Sequence, residues 1–350
     1  MNPKLKKFIA RFPQSQIDSF LVTSDVNIRY LTDFPACESW LFVSATRSFY
    51  LTDFRYVLEA QKGLKGISVK RTGPSLDPAV FQVAQTLKTR RIGFDDRHIS
   101  LASFRKLKQE CPKGIQLIPV KNLVEDLREI KSAEEIRQMR KALALHRQIY
   151  EFIKKEVKPG VTEKEIYDTL ENFVKSKNAG FSFPPIIAAG PNSCFPHARV
   201  SDRKIRANEP VLIDLGIDLQ GYKSDLTRMI LLGRIPRFVR EAHDFVRRAQ
   251  ALAMEYIQPG RRASEVDEQA RNYLAKNRLG KFFGHSLGHG VGLEIHENPR
   301  ISQSSSTILK EGMIFTVEPA VYIPHQFGIR IEDMVLVTQQ GCEVLSEHID

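Results

Sequence analysis

KPGVTEKEIYDTLENFVKSKNAG (Lys158–Gly180) and QPGRRASEVDEQARNYLAKNRLG (Gln258–Gly280) decide how the second half of this chain is read. Each opens on Pro-Gly, a dipeptide that marks a turn. Each continues with apolar residues at helical spacing and closes on a glycine. Helix starts are predicted at Thr162 with Glu165 and at Ser264 with Asp267, both hydroxyl-x-x-acid capping pairs. Glu165-Ile166 and Glu265-Val266 lie 100 residues apart (265 − 165). The segments downstream of the two helices correspond too. FSFPPIIAAGPNSCFPH and KFFGHSLGHGVGLEIH are both rich in small residues and end on a histidine, His197 and His296. Then each half has a strand, a connection and a second strand: NEPVLIDLGIDLQGYKSDLTRMILLG and KEGMIFTVEPAVYIPHQFGIRIEDMVLVTQQG. A period near 100 is too long for a solenoid of small repeats. It fits a duplicated α+β unit with a pseudo-twofold axis and a site between the halves.

Upstream, strands and helices alternate. DSFLVTS reads as a strand, WLFVSATRSFYLTD as strand, turn and strand, PAVFQVAQTLKT as a helix, RRIGFDD as a strand and SLASFRKLKQE as a helix. That alternation predicts an α/β domain. A long helical region is expected to open near Val120, and IKSAEEIRQMRKALALHRQIYEFIKKEV carries a capping box at Ser132 and Glu135. The expected domains are residues 1–126 and 127–350.

Bulk properties agree with two globular domains. The chain has 350 residues, 42% of them hydrophobic, enough for real cores. Its mean hydropathy of -0.28 and the lack of any apolar run near the roughly 20 residues of a membrane span predict a soluble protein with no membrane partner. MNPKLKKFIARFPQSQ has no apolar core or cleavage site of a signal peptide. Cys37, Cys111, Cys194 and Cys342 form no paired motif, which suits free thiols in the cytoplasm. The net charge of +11 is scattered through KKFIAR, KTRR, RKLK and RFVREAHDFVRR. A nucleic-acid surface would cluster it, so no nucleic-acid partner is expected.

The chemistry is concentrated in the duplicated half. GHSLGHGVGLEIHE (Gly284–Glu297) sets His285, His289 and His296 among four glycines. It is not the HExxH metalloprotease helix, because Ser-Leu-Gly separates His285 from His289 and the glutamate is missing. Glycines here suit a wall where backbone passes close to something. Asp214 (VLIDLG), Asp225 (YKSDLTR), Glu318 (MIFTVEPA) and Glu332 (GIRIEDMVLV) lie in strand patterns, two in each half. A buried, unpaired acid is expensive. Four of them without matching lysines ask for cations, and they exceed what a single zinc takes.

These motifs, DLGIDLQGYKSDLTR, GHSLGHGVGLEIHE, VEPAVY and IRIED, resemble the metal-binding motifs of the Xaa-Pro aminopeptidase and prolidase family. The likeness spans about residues 130–345, and DSFLVTSDVNIRYLTDF resembles the family's first domain. The resemblance implies an N-terminal α/β domain followed by a C-terminal "pita-bread" domain with internal pseudo-twofold duplication. It implies two divalent ions, expected as Mn²⁺ with Co²⁺ or Zn²⁺ compatible, held by Asp214, Asp225, His289, Glu318 and Glu332. Asp225 and Glu332 would bridge them, Asp214 complete one, and His289 with Glu318 complete the other. Glu318 is the expected general base. His197, His285 and His296 would act in catalysis and substrate binding, Arg300 would grip a substrate carboxylate, and Arg330 would orient ligands from behind. The implied activity is hydrolysis of the bond before proline at position two of small peptides, as a dipeptidase or an aminopeptidase, by a homodimer. A creatinase-like hydrolase or a non-catalytic binding protein on the same fold are the alternatives. The intact ligand set argues against both.

Overall fold

The computed structural model describes residues 2–73, 75–347 and 349. The chain divides into two compact units, Met1–Arg128 and Glu129–Asp350.

The first unit is built on a six-stranded mixed sheet. Its order is Ser68–Arg71, Ser48–Thr52, Trp40–Ser44, Ser19–Val22, Arg91–Asp95, Gln116–Val120. The strand Ser19–Val22 pairs antiparallel with Trp40–Ser44 and parallel with Arg91–Asp95. SFLV and LFVS are apolar at successive positions, the pattern of strands covered on both faces. Leu21, Phe42, Leu51 and Ile92 accordingly share a core with Val80 and Val83 of the helix Asp77–Leu87 and Leu107 of the helix Leu101–Glu110. The helical region expected to open near Val120 opens later. Gln116–Val120 is the edge strand, parallel to Arg91–Asp95, and the long helix begins at Ala133. Pro119 weakens the strand pattern there, and an edge strand tolerates it.

The second unit is duplicated. A helix pair, Ala133–Glu156 and Glu163–Ser176, is matched by Arg237–Tyr256 and Ala263–Lys276. The first pair packs Met139, Leu143, Ile149, Ile166 and Leu170 onto Ile187, Val211 and Ile213. The second packs Val246, Ala249, Val266 and Ala270 onto Phe315, Val317 and Val335. Each fully buried Leu, Ile or Phe side chain contributes roughly 1.5–3 kcal/mol. The backbone repeats in detail: Gly160 and Gly260 take φ of 96° and 89°, and Asn178 and Arg278 take 54° and 63° as the helices end. In each half a strand pairs antiparallel with the strand leading to its first acid, which pairs antiparallel with a third. The orders are Ile186–Ala189, Pro210–Leu215, Leu226–Leu231 and Gly288–Gly290, Ile314–Val317, Asp333–Val337.

One predicted cap moves. Thr162 and Glu165 form the expected box. The second helix begins at Ala263 instead, so Ser264 lies inside it. Glu265 Oε2 accepts the Arg262 N–H at 3.0 Å, in the role Glu165 plays for Thr162. Asp267 is freed for the interior. No helix among the described residues is long and apolar enough to cross a membrane.

Thr162→Ala removes the hydroxyl that accepts the Glu165 N–H at 3.1 Å and is expected to cost about 1 kcal/mol. Ser264→Ala is expected to stay within about 0.5 kcal/mol. Urea unfolding of the two variants measures both, and equal losses would restore Ser264 as the cap.

Candidate metal centre

The acids of both halves meet at strand ends. Asp214 lies within Pro210–Leu215, while Asp225, Glu318 and Glu332 each occupy a position beside a strand rather than within it. That corrects the expectation of four acids in strands. A position at a strand end leaves the side chain free of the pleat's alternation. His289 is the middle residue of Gly288–Gly290. A side chain at Gly288 would collide with the Thr316 carbonyl, and one at Gly290 with that of Asn298. The glycines therefore let three backbone segments close around His289.

His289 Nε2 stands 3.3 Å from Glu318 Oε1 and 3.6 Å from Asp225 Oδ2. Ligand atoms of Asp225, His289 and Glu332 all lie within 4.8 Å of one another. His289 Nδ1 is 3.2 Å from the Gly290 carbonyl, which orients the ring with Nε2 toward the acids. Arg330 closes the other side. Its guanidinium pairs with Asp214 Oδ2, donates to Thr227 Oγ1 (3.0 Å) and Tyr322 Oη (2.5 Å), and reaches the Pro196 carbonyl at 3.3 Å. The Thr227 hydroxyl in turn donates to Glu332 Oε2 at 2.6 Å. Thr316 accepts the His289 N–H at 3.1 Å and donates to Glu318 Oε1 at 3.2 Å. All five predicted ligand residues are thus collected in one nest, with Arg330 behind it.

The nest is short of positive charge. Burial pushes Asp225 far above the usual carboxylate range, helped by the negative charges of Glu332, Asp214 and Glu318. Burial does the same to Glu332, reinforced by Glu318 and Asp214. Asp214 rises by burial, against the pull of Arg330. Glu318 alone is held low: burial pulls it up, but its hydrogen bond to His289 and the charges of His289, His285 and Arg330 outweigh that. Asp214 Oδ1 is buried with no hydrogen-bond partner among the described residues. Four carboxylate side chains, one of them with an orphaned oxygen, and one imidazole nitrogen are the donor set of divalent metal ions such as Mn²⁺, Co²⁺ or Zn²⁺. The residues fit such ions.

The other predicted residues border this nest. His285 lies half-buried, its Nδ1 2.8 Å from the Ser286 carbonyl and its Nε2 3.2 Å from Tyr322 Oη. Burial pushes Tyr322 up to about 12, so the phenol keeps its proton. Arg330 then donates to Tyr322, and Tyr322 to His285. His296 keeps an open edge and meets the His289 ring edge-to-face at 4.2 Å. Desolvation of its inner edge and the charges of His289 and His197 hold it below the usual histidine range. His197 is exposed, next to Pro196. Arg300 is exposed, and its Nε donates to Ser286 Oγ at 2.9 Å. In register it faces His289 across the strand pair, so both side chains leave the sheet on one face.

Sequence reading missed Tyr322, Thr227 and Thr316, whose only signal is a hydroxyl at an inward position of an apolar strand. It also missed His146, fully buried on Ala133–Glu156, with Nδ1 3.0 Å from Ser224 Oγ, one residue before Asp225. Burial, helped by the charge of Arg228, pushes it down to about 3, so it stays neutral. A second group of ligand-type side chains, Asp95, His98 and Glu125, lies in the first unit. There the Asn27 amide already donates to Glu125 Oε1 (2.7 Å) and Asp95 Oδ2 (3.2 Å). Its own oxygen accepts from Arg128 at 2.9 Å. A cation between those acids would face N–H donors, so the group reads as a hydrogen-bonded knot.

A duplicated α+β unit closing on a carboxylate and histidine nest is the pita-bread metallohydrolase arrangement. Residues 137–339 match the model of metallopeptidase family M24, and residues 4–130 that of the creatinase/prolidase N-terminal domain. The chain belongs to metallopeptidase family M24. It is 36% identical to the uncharacterized peptidase YqhT of Bacillus subtilis over 97% of this chain and 96% of that one. The solved Xaa-Pro dipeptidase from Bacillus anthracis superposes with a TM-score of 0.93 at 34% identity, covering 98% of this chain and 97% of its own. The X-Pro aminopeptidase from Thermotoga maritima does so with a TM-score of 0.87 at 31% identity, covering 95% and 97%.

The raised acids set a pH dependence. Their pKa values in the folded, metal-free chain exceed the unfolded values of roughly 4. Their contribution to stability is therefore full below that range and lost as pH rises through the folded values. Chelated protein is expected to melt at a lower temperature near neutral pH than at mildly acidic pH. Asp225→Asn should shrink that drop and saturating Mn²⁺ should abolish it. Differential scanning fluorimetry of the chelated protein checks this, and no difference between wild type and Asp225→Asn would refute the crowding of charge.

Proposed function

We propose that this chain is a dinuclear metal-dependent Xaa-Pro peptidase. It cleaves the bond between an N-terminal residue and proline and prefers dipeptides. The observation that carries this reading is the convergence of Asp214, Asp225, His289, Glu318 and Glu332 on one buried, charge-starved space. The names of the Bacillus anthracis and Thermotoga maritima relatives support the proline specificity. Asp225 and Glu332 would serve both metal positions, with Asp214 at one and His289 and Glu318 at the other. When bound, a pair of divalent ions supplies Lewis-acid polarisation of the scissile carbonyl and acidifies a water toward neutral pH.

The chain's own residues do the rest. Glu318 is held ionised and takes a proton from the attacking water. It then delivers that proton to the departing nitrogen as the C–N bond breaks. Proline's amide nitrogen carries no hydrogen, so the site must donate there and has nothing to accept. His285, fixed through Tyr322 to Arg330, holds a polar imidazole at the border of the nest. His197 and His296 present polar groups on the open side to the substrate. Arg300, on the same face as His289, pairs with the terminal carboxylate of a dipeptide. The working form is read as a homodimer, which light scattering tests; a monomer at working concentration refutes it.

Metal analysis at saturation should give about two ions per chain, and Glu318→Ala should abolish turnover while leaving the fold intact. Zero or one ion would sink the dinuclear reading. Rates on Ala-Pro, Ala-Pro-Ala, Ala-Ala and N-acetyl-Ala-Pro test the substrate. Ala-Pro should be cut fastest and the acetylated peptide not at all, because an acylated amine neither ligates nor fits. Arg300→Ala should slow Ala-Pro by about 10-fold to 100-fold, the effect of losing a charge-assisted contact of roughly 1.5–3 kcal/mol. Equal rates on Ala-Ala overturn the proline assignment. Equal rates on Ala-Pro-Ala, with Arg300→Ala silent, make the enzyme an aminopeptidase.

A further inference from the structure

The helix Glu163–Ser176 begins with a carboxylate that solvent does not reach: Glu163 is 0% exposed. Its Oε1 accepts the Ala189 N–H at 2.8 Å and the Asn192 amide at 3.0 Å. Its Oε2 accepts the Asn192 amide at 3.1 Å, the Ser201 N–H at 3.2 Å and the Ser201 hydroxyl at 2.6 Å. Arg203 lies close enough to feel its charge but is forked onto Glu209. A buried carboxylate is costly, and here N–H and O–H donors carry it.

The duplicated half is an internal control for what the acid does. At the 100-residue offset, Thr162, Glu163 and Glu165 correspond to Arg262, Ala263 and Glu265. Ala263 is also 0% exposed, and its helix has the same 14 residues. The backbone framing is repeated: Glu163 N–H bonds the Arg203 carbonyl at 3.1 Å, and Ala263 N–H bonds the Thr307 carbonyl at 2.9 Å. The fold at this helix start therefore forms with a methyl group. The carboxylate is an addition to one half, the half that carries His197. It grips the segment 189–201 near both ends. Between the grips, Ser193 Oγ accepts the Gly328 N–H at 2.8 Å and the Pro196 carbonyl receives Arg330 at 3.3 Å. His197 follows Pro196 directly.

We propose that Glu163 is a positioning residue: a single buried carboxylate clasps Ala189, Asn192 and Ser201 and so holds Pro196 and His197 in place beside Arg330. The kinetic consequence rests on the reading of the site as an Xaa-Pro peptidase centre; the clasp itself does not. Glu163→Gln keeps the shape but turns an amide N–H toward groups that are themselves donors. In the metal-loaded full chain, Glu163→Gln is expected to bind the same number of metal ions as wild type. It should raise hydrogen exchange across 189–201 and lower kcat/KM on Ala-Pro by about 10-fold to 100-fold, the effect of an ångström-scale misplacement. A purely structural role would add its loss to that of His197→Ala. A clasp acting through His197 makes the Glu163→Gln/His197→Ala double variant no worse than the more severe single one. Additive losses, wild-type kinetics or unchanged exchange overturn the proposal. If Glu163→Gln does not fold, Asn192→Ala and Ser201→Ala each remove one arm, and the same cycle against His197→Ala decides. If wild type leaves Ala-Pro intact, the reading of the activity fails, while the exchange measurement still decides the clasp.

Discussion

Asp214, Asp225, Glu318 and Glu332 crowd their negative charges into the interior, and the guanidinium of Arg330 is what lets the folded chain hold them there. Two unit charges about 4 Å apart repel by roughly 4 kcal/mol at the effective dielectric of a protein. Arg330 offsets part of this through Asp214 directly and through Thr227 to Glu332. Its planar fork also ties Tyr322 and the Pro196 carbonyl, so one side chain joins strands of both halves and the segment before His197. A lysine has the charge but not this geometry. One guanidinium cannot balance four acids, and burial together with that deficit raises the carboxyls of Asp214, Asp225 and Glu332. Cation binding and stability are thereby the same free energy seen from two sides.

The acids and histidines were legible because their cost is legible. An acid at the end of an apolar run, two per repeat, has no cheap structural explanation, so Asp214, Asp225, Glu318 and Glu332 stood out from sequence alone. The repeat was legible for a similar reason: Pro-Gly turns at Gly160 and Gly260 force the same left-handed backbone, and that forces the same residues. The rest was written in groups that sequence does not distinguish. Thr227 and Thr316 look like ordinary strand residues until their hydroxyls are seen on Glu332 and Glu318. Glu163 lies in a helix's first turn, where acids are common for dipole reasons, so nothing in the sequence marks it as buried. Ser264 misled because the second helix takes its N3 acid at Glu265, earlier than the hydroxyl pattern suggested. Pro119 hid an edge strand because proline is rare in strands in general but cheap at an edge.

Duplication alone would make two equal halves and two equal binding positions, and the departures from equality carry the chemistry. Both halves supply two acids, but the shorter ones, Asp214 and Asp225, come from the first half and the longer ones, Glu318 and Glu332, from the second. The strand Gly288–Gly290 brings His289 to the acids, whereas its topological counterpart Ile186–Ala189 brings no ligand-type side chain. In that half the first helix instead opens on Glu163, whose carboxylate accepts the Ala189 N–H. The second half anchors its own histidine loop by a different device. Asp267, buried on the second helix, accepts the Leu287 N–H at 3.0 Å and holds Arg271, which donates to the Phe283 and His285 carbonyls. A pair of cations held as proposed would have unlike surroundings, one all oxygen and one with an imidazole. On the proposed function, that inequality would give a bound peptide a direction. The symmetric scaffold therefore sets where the charges gather, and the asymmetric residues make the two sides of that nest unlike.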